Sequence, residues 1–246
     1  MLQLKKNRSF FGALTMILLG SQILSSCSSY REERKPNLIS DEVIRDSEKT
    51  YGYFAPKRLQ TWNNVIQRAA KLSEGEKVIF VNREFNEVPY SSDFALWRKE
   101  DYWATPFEFL AKDAGDCEDY SIAKYTALRN LNIPVRSLNL AYVRKLPSME
   151  PHMVLLYTPE NGGSPLVLDN EIKVAFPLKK RTDLMVIYKF NETNGYLVNG
   201  QKNTSGKNFD AKTIQRWKLY LERPGIYTLL NEEKEESKDS GFFGLF

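Results

Sequence analysis

The chain contains 246 residues, 42% of them hydrophobic, and has a formal net charge of +4 at pH 7. This length and composition allow one domain with a hydrophobic core. Three of the positive charges, on Lys5, Lys6 and Arg8, lie in an N-terminal leader, and without them the net charge falls from +4 to +1. The basic composition therefore gives no reason to expect nucleic acid as a partner.

The first 26 residues have the features of a secretion signal, because basic residues precede an apolar run from Phe10 to Leu24. The run is too short to span a bilayer comfortably. It leads into Leu-Ser-Ser-Cys, which ends at Cys27 and resembles the lipobox at which bacterial lipoproteins are cleaved and acylated. We expect Cys27 to be the lipidated N-terminus of an exported protein. A plain signal peptide cut nearby, with Cys27 incidental, is the alternative.

These features divide the chain into four segments. Residues 1–26 are the expected lipoprotein signal peptide, and the polar residues 27–50 are the expected tether. Residues 51–230 form the expected domain, and residues 231–246 form an acidic tail that we expect to be poorly ordered. Ser28, rather than an aspartate, follows Cys27, and this favours the outer membrane as the site of the lipid anchor.

The hydrophobic pattern of the domain changes its period near the middle. Helical spacing and capping signals predict helices over 56–72 and 76–85, a loop over 86–102, a short helix opened by Thr105, and a helix from Asp116 to about Leu131. Short β-rich runs follow at 135–142, 153–157, 166–168 and 185–190, and a closing helix is predicted over 210–222. Helices followed by antiparallel strands indicate an α+β domain.

Cys117 is the one thiol that remains if Cys27 is lipidated, and it falls in the first turn of a predicted buried helix. A single exported thiol cannot form an intramolecular disulfide. A helix N-terminus stabilises a thiolate through its free amides and its dipole, so Cys117 is a candidate nucleophile. A buried and inert cysteine is the simpler alternative.

The chain contains one histidine, His152, at the start of a predicted strand. Asp169 ends the next predicted strand, and antiparallel pairing would place its carboxylate beside the imidazole and fix the ring tautomer. Cys117, His152 and Asp169 therefore follow one another on a helix and two strands, as an α+β cysteine protease requires. An ordinary turn at Asp169-Asn170 is the alternative for the carboxylate.

Around these residues the sequence resembles the bacterial transglutaminase-like cysteine proteinases. The resemblance extends in order over most of the domain. It is found in Asp101-Tyr102-Trp103-Ala104-Thr105-Pro106, Gly115-Asp116-Cys117-Glu118-Asp119-Tyr120, Ala123-Lys124-Tyr125, Pro151-His152-Met153-Val154-Leu155 and Leu166-Val167-Leu168-Asp169-Asn170. The lipobox departs from the family, because members of this type are usually soluble periplasmic proteins.

The resemblance implies a transglutaminase-like, papain-like fold, in which a helical N-terminal half presents the nucleophile at a buried helix N-terminus packed on an antiparallel sheet. It implies Cys117 as the nucleophile, His152 as the general base and then acid, and Asp169 as the orienting carboxylate. It further implies a periplasmic endopeptidase that cleaves a large surface adhesin and promotes biofilm release. A cyclic-di-GMP-regulated receptor in the inner membrane is the further partner that it implies.

Three acids, Asp116, Glu118 and Asp119, surround the candidate nucleophile, and like charges raise the pKa of a thiol. From the residues alone, helix capping is the simpler interpretation of these acids. The resemblance implies instead a Ca²⁺ site at Asp116 and Glu118, with Asp119 as a weaker candidate. Clustered hard oxygen ligands suit that ion.

Two other classes of function remain compatible with the same residues. A transglutaminase or a peptide amidase forms the same thioester and differs only in the acyl acceptor, so the triad does not distinguish these enzymes from a protease. A catalytically silent binding module on the same fold is disfavoured, because Cys117, His152 and Asp169 are all present.

Overall fold

The computed structural model of the protein describes residues 39–199 and 204–223. The expected signal peptide, Cys27 and the expected tail after residue 230 lie outside these residues. The helices are α1 (Asp41–Tyr51), α2 (Ala55–Ala69), α3 (Glu74–Phe85), α4 (Asp93–Trp97), α5 (Pro106–Lys112), α6 (Cys117–Asn130) and α7 (Gln215–Leu221). The strands are β1 (Leu138–Lys145), β2 (Glu150–Tyr157), β3 (Leu166–Leu168), β4 (Phe176–Pro177), β5 (Leu184–Phe190), β6 (Gly195–Asn199) and β7 (Thr204–Phe209). The predicted α+β class is confirmed.

The predicted helices form where the sequence provides caps. Thr105 caps α5, since its hydroxyl accepts from the Glu108 N–H over 3.1 Å while the Glu108 carboxylate accepts from the Thr105 N–H over 2.7 Å. Asp116 and Asp119 form the same reciprocal box at the start of α6. Each cap satisfies N–H groups that the first turn leaves free, and a cap is typically worth about 1 kcal/mol.

Helix α1 occupies residues that the sequence analysis assigned to the tether, so that assignment is wrong for residues 41–50. Ser40 caps the helix through a 3.3 Å bond from the Val43 N–H, and Ile44 is buried. Asn63 of α2 holds the chain just before the helix, donating to the Ile39 carbonyl over 2.7 Å and accepting from the Ile39 N–H over 3.0 Å. Contacts made by distant residues therefore fix a segment whose own composition is polar.

Helix α4 lies inside the predicted loop 86–102, and the loop prediction is wrong for this turn. The N–H of Asp93 donates to Asp116 Oδ2 over 3.2 Å, and the carboxylate of Asp93 accepts the main-chain N–H of Tyr102. Asp93 is almost fully buried as a result. The loop folds back onto the start of α6, which is a tertiary contact that hydrophobic periodicity does not detect.

The strands form one antiparallel sheet in the order β4-β3-β2-β1-β5-β6-β7. Strand β2 pairs with β1 on one side and with β3 on the other, so Leu155 faces both Leu140 and Leu168. The four predicted strands are confirmed as β1, β2, β3 and β5. Strands β4, β6 and β7 were not predicted, because β4 has two residues and β6 and β7 contain few alternating apolar positions.

Two hydrophobic clusters lie on the two faces of the sheet. The larger joins the helices to the sheet, and the smaller contains Val143, Val154, Val167 and Val186. Helix α6 lies in the larger cluster, and eleven of its fourteen residues are buried. Helix α7 completes this cluster with Trp217 and Leu221, and it lies within the closing helix predicted over 210–222. Among the described residues, no helix has both the length and the apolar character needed to cross a membrane.

Candidate active site

Cys117 is the first residue of α6, immediately after its cap Asp116, and it is partly buried. Its sulfur lies 3.1 Å from Glu118 Oε2. One turn later, the Ser121 hydroxyl lies 2.8 Å from the Cys117 carbonyl and 3.1 Å from the Met153 carbonyl of β2. The first turn of α6 is therefore fixed against the residue that follows His152.

The surroundings of Cys117 oppose thiolate formation in the absence of a cation. Burial raises the pKa of the thiol well above its ordinary value, and the neighbouring Glu118 and Asp116 carboxylates raise it further. The main-chain N–H of Met153 acts in the opposite direction. The conflict that the sequence predicted between three acids and a nucleophilic thiol is thus present in the structure.

His152 and Asp169 form a hydrogen-bonded pair, with 2.9 Å between Nε2 and Oδ1. Both side chains are buried. The pair forms because β2 and β3 are antiparallel neighbours and His152 and Asp169 lie at the same end of them. The predicted proximity of the two residues is confirmed, and the bond fixes which ring nitrogen faces the carboxylate.

Two further donors hold the Asp169 carboxylate. The Glu171 N–H bonds Oδ1 over 3.0 Å, and Arg181 bonds Oδ2 over 2.8 Å. Burial by itself opposes ionisation, but the bonds from His152, Glu171 and Arg181 outweigh it and lower the pKa of Asp169 to about 2. Arg181 was not identified from the sequence. Its position in a polar segment after β4 gives no local signal of this contact.

A cluster of carboxylates lies beside the Cys117 turn. Ligand oxygens of Asp93, Asp116 and Asp119 lie within 4.8 Å of one another, and so do those of Asp93, Asp101 and Glu118. The predicted metal residues Asp116, Glu118 and Asp119 are therefore close in space. Asp93 and Asp101 are additional, and only the folding of α4 brings them to the site.

The cluster has the chemistry of a cation site. Oδ1 of Asp93 and Oδ1 of Asp116 are buried and accept no hydrogen bond from the described residues. Burial, Glu118 and Asp93 raise the pKa of Asp116 to about 8, and burial above all raises the pKa of Asp93 to about 6. Several hard oxygens that repel one another, two of them without donors, fit a divalent cation such as Ca²⁺.

Asp119 shapes this cluster through its main-chain contacts. Its Oδ1 accepts from the Ala104 N–H over 2.7 Å, and its Oδ2 accepts from the Asp116 N–H over 3.3 Å. The side chain is fully buried, so it ties the segment before α5 to the start of α6. Its carboxylate nevertheless belongs to one of the two groups whose oxygens lie within 4.8 Å of one another, so Asp119 stays a candidate ligand.

Gly115 permits the close packing before the nucleophile. A Cβ at this position would lie 2.5 Å from Phe109 Cδ2 and 2.6 Å from Asp119 Oδ2, which is closer than real Cβ atoms approach. The backbone of Gly115 also pairs with Tyr90, and its carbonyl accepts from the Ser91 N–H over 2.9 Å. The missing side chain thus lets Phe109 of α5 and Asp119 of α6 pack against the main chain just before Cys117.

These features define the class of the protein. A thiol at the N-terminus of a buried helix lies against a strand whose histidine is hydrogen-bonded to an aspartate at the end of the neighbouring strand. This is the arrangement of a papain-like or transglutaminase-like cysteine peptidase. The chain belongs to the bacterial transglutaminase-like cysteine proteinase family, whose model matches residues 58–194.

Solved structures of a Legionella pneumophila protein, LapG, are similar to this chain. The EGTA-treated form has 31% sequence identity and a TM-score of 0.64, and the match covers 76% of this chain and 98% of that one. The calcium-bound form has 31% identity and a TM-score of 0.62, over 75% and 99% of the two chains. No curated protein sequence matches the chain.

Proposed function

We propose that this protein is a calcium-dependent cysteine endopeptidase of the cell envelope that cleaves a large surface adhesin and so promotes release from a biofilm. The observation that supports the chemistry best is the contact between the Cys117 turn and Met153 of β2, the residue that follows the histidine of the His152–Asp169 pair. The adhesin substrate is inferred from family membership and from the likeness to LapG.

In the proposed reaction, His152 takes the proton of the Cys117 thiol, and the sulfur attacks the carbonyl carbon of the scissile peptide bond. Nε2 of His152 is bonded to Asp169, so Nδ1 is the nitrogen available to the thiol. The first N–H of α6 has no partner within the helix and can donate to the developing oxyanion. His152 then gives its proton to the leaving amine as the C–N bond breaks, which leaves a thioester on Cys117.

Hydrolysis of the thioester completes the cycle. Water gives a proton to His152 and attacks the acyl carbon, the C–S bond breaks, and the thiol is restored when the proton returns to sulfur. Asp169 remains ionised throughout and holds the imidazole in one orientation, because its second oxygen is bonded to Arg181.

The calcium ion would be held by one of two groups of carboxylates whose ligand oxygens lie close together: Asp93, Asp116 and Asp119, or Asp93, Asp101 and Glu118. The ion, when bound, supplies positive charge that offsets the carboxylates around the thiol. The chain itself fixes the position of these ligands relative to the thiol, because Asp116 and Glu118 flank Cys117 in the sequence. The proposal is supported by the two orphaned carboxylate oxygens.

We further propose that the mature protein is tethered to the outer membrane through a lipid on Cys27. A cyclic-di-GMP-regulated receptor in the inner membrane is the proposed regulatory partner, again by family resemblance. An anchored protease would meet its adhesin substrate at the membrane surface without diffusing through the periplasm.

Surface proteomics of a deletion strain tests the adhesin proposal. Loss of the gene should leave one large surface protein retained on the cells, and complementation with the wild-type gene should restore its release. Complementation with a Cys117→Ala gene is the matched control and should not restore release. A surface proteome that is the same in all three strains would contradict the proposal.

Incubating the purified enzyme and substrate with a labelled amine distinguishes hydrolysis from transamidation.

A further inference from the structure

Lys124 is a fully buried lysine that the reaction described above does not use. It lies on α6, two turns after Cys117. A buried ammonium is costly unless each of its protons has an acceptor. Lys124 therefore requires a structural or functional reason for its position in the core.

The ammonium of Lys124 faces three oxygens. These are Asn82 Oδ1 at 2.9 Å, Asn86 Oδ1 at 2.7 Å and the main-chain carbonyl of Asp169 at 3.2 Å. An ammonium has three donors and no acceptor, so this surrounding matches the charged form. A neutral amine would turn its lone pair toward one of the three oxygens. The surroundings thus favour the charge even though burial lowers the pKa of Lys124 to about 7.

The same carbonyl has a second donor. Asn86 Nδ2 donates to the Asp169 carbonyl over 2.8 Å, and Asn82 Nδ2 donates to the Lys173 carbonyl over 2.8 Å. Both amides turn their oxygens to Lys124 and their nitrogens to the main chain. Helices α3 and α6 therefore hold the segment 169–173 at both of its ends.

The residue held in this way is the one whose carboxylate bonds His152. Fixing the main chain at Asp169 fixes where its side chain begins, and displacement of a catalytic group by about 1 Å can cost roughly 100-fold in rate. We propose that Lys124 is a positioning residue, which together with Asn86 holds the Asp169 main chain so that the carboxylate keeps the His152 proton on Nε2. Only the effect on turnover rests on the proposed function.

The single histidine provides a direct measurement of this role. In the mature chain, produced with neither lipid nor tag and with ¹⁵N-labelled histidine, the imidazole nitrogen resonances report the tautomer of His152 alone. The wild-type protein should show a single Nε2–H tautomer. Lys124→Met should show a mixture of tautomers or a broadened Nε2–H signal. Its kcat on an adhesin fragment should fall by roughly tenfold or more, with KM nearly unchanged.

Arg129→Met is the matched control. Arg129 is a buried cation on the same helix, but it bonds Glu192 over 3.1 Å and the Ile133 carbonyl over 2.8 Å. Its loss should lower the melting temperature while leaving the tautomer and kcat near wild type. A Lys124→Met protein that folds and keeps both the wild-type tautomer and the wild-type kcat overturns the proposal.

Lys124→Met removes the ammonium that bonds two buried amide oxygens, and a second variant covers the case in which this protein does not fold. Asn86→Ala then decides by the same two readouts, because it removes the 2.8 Å bond to the Asp169 carbonyl together with one of the three acceptors of the Lys124 ammonium. A wild-type tautomer and kcat in Asn86→Ala would again overturn the proposal. An inactive wild-type protein would refute the proposed function. The positioning role would still be decided by the histidine resonances, because the tautomer is measured without substrate.

Discussion

Arg181 Nη2 lies 2.8 Å from Oδ2 of Asp169, the carboxylate oxygen that does not face His152. The carboxylate therefore bonds a cation on one side and the imidazole on the other, with both neighbours buried. Since the Asp169 carboxylate has its bonds in the folded state alone, its ionisation is coupled to folding.

We predict that Asp169 contributes stability that depends on pH. Its folded pKa of about 2 lies below the ordinary value of 3.8. The contribution is therefore fully present above pH 4 and is lost as the pH falls toward 2, and its size is about 2 kcal/mol. Urea unfolding of wild type and Asp169→Asn between pH 7 and pH 2 measures it. The free-energy difference between the two proteins should shrink by about that amount in the acid range.

Asp183→Asn is the control for this titration. Asp183 bonds the same Arg181, over 2.7 Å, but its side chain is 45% exposed. Its removal should change the stability much less, because an exposed ion pair is worth about 1 kcal/mol or less. If the free energy of unfolding depends on pH equally in the Asp169 and Asp183 variants, burial of the Asp169–Arg181 pair does not affect this dependence.

Cys117→Ala should abolish proteolysis and leave the melting temperature nearly unchanged. Loss of one sulfur at a helix start removes little packing, whereas loss of the nucleophile should lower kcat/KM on the order of 10⁴-fold or more. His152→Ala should be almost as severe. The double variant should be no worse than either single variant, because the two residues act as one unit. Turnover of Cys117→Ala near the wild-type rate would refute the assigned nucleophile.

EGTA should inactivate the enzyme and lower its melting temperature, and added Ca²⁺ should restore both. Mg²⁺ should restore them poorly, because it requires a tighter octahedral shell. The effect of Asp116→Asn on stability should change sign between EGTA and Ca²⁺. In EGTA it should be at least as stable as wild type, since one repelling carboxylate is gone, and in Ca²⁺ it should be less stable, since a ligand is gone.

Thermal melting of each protein in the two buffers measures this reversal. Asp113→Asn is the matched control, because Asp113 ends α5 outside the two carboxylate clusters. It should respond to Ca²⁺ as the wild-type protein does. If EGTA does not change the wild-type activity and the active protein contains no bound metal, the calcium site is wrong and the acids only cap the helix.

Cys27→Ala should move the protein from the membrane to the soluble fraction and leave the kcat of the purified domain unchanged. Cys27 lies outside the described residues, so this prediction rests on the sequence alone. Detergent-phase partitioning and incorporation of a labelled fatty acid measure the anchor. Cys117→Ala is the reciprocal control and should remain membrane-bound. Equal partitioning of Cys27→Ala and the wild-type protein would exclude the lipid.

The sequence predicts the parts of the site that depend on local signals. The start of α6 follows from the box formed by Asp116 and Asp119, and the proximity of His152 and Asp169 follows from two neighbouring antiparallel strands. Asp93 and Arg181 could not be found in this way. Each reaches the site because a polar segment folds back onto it, and the contacts that fix those segments lie far away in sequence.

Lys124 illustrates a different limit on what can be predicted from the sequence. A lysine in a helix is almost always a surface residue, so neither composition nor periodicity suggests that this side chain is fully buried. Its three acceptors come from α3, from the residue that caps the end of α3 and from the residue that follows β3. Only the packing of those elements shows that the charge is satisfied.

Gly115 limits how the enzyme can be redesigned. Any side chain at this position would meet Phe109 and Asp119, and Asp119 is the residue that closes the cap before Cys117. A mutant library aimed at new substrates can therefore include the exposed Tyr90 and Phe94, but position 115 has to stay fixed together with the triad. A scan that scores only contact with substrate would rate this glycine as dispensable, although it determines whether the nucleophile is in place.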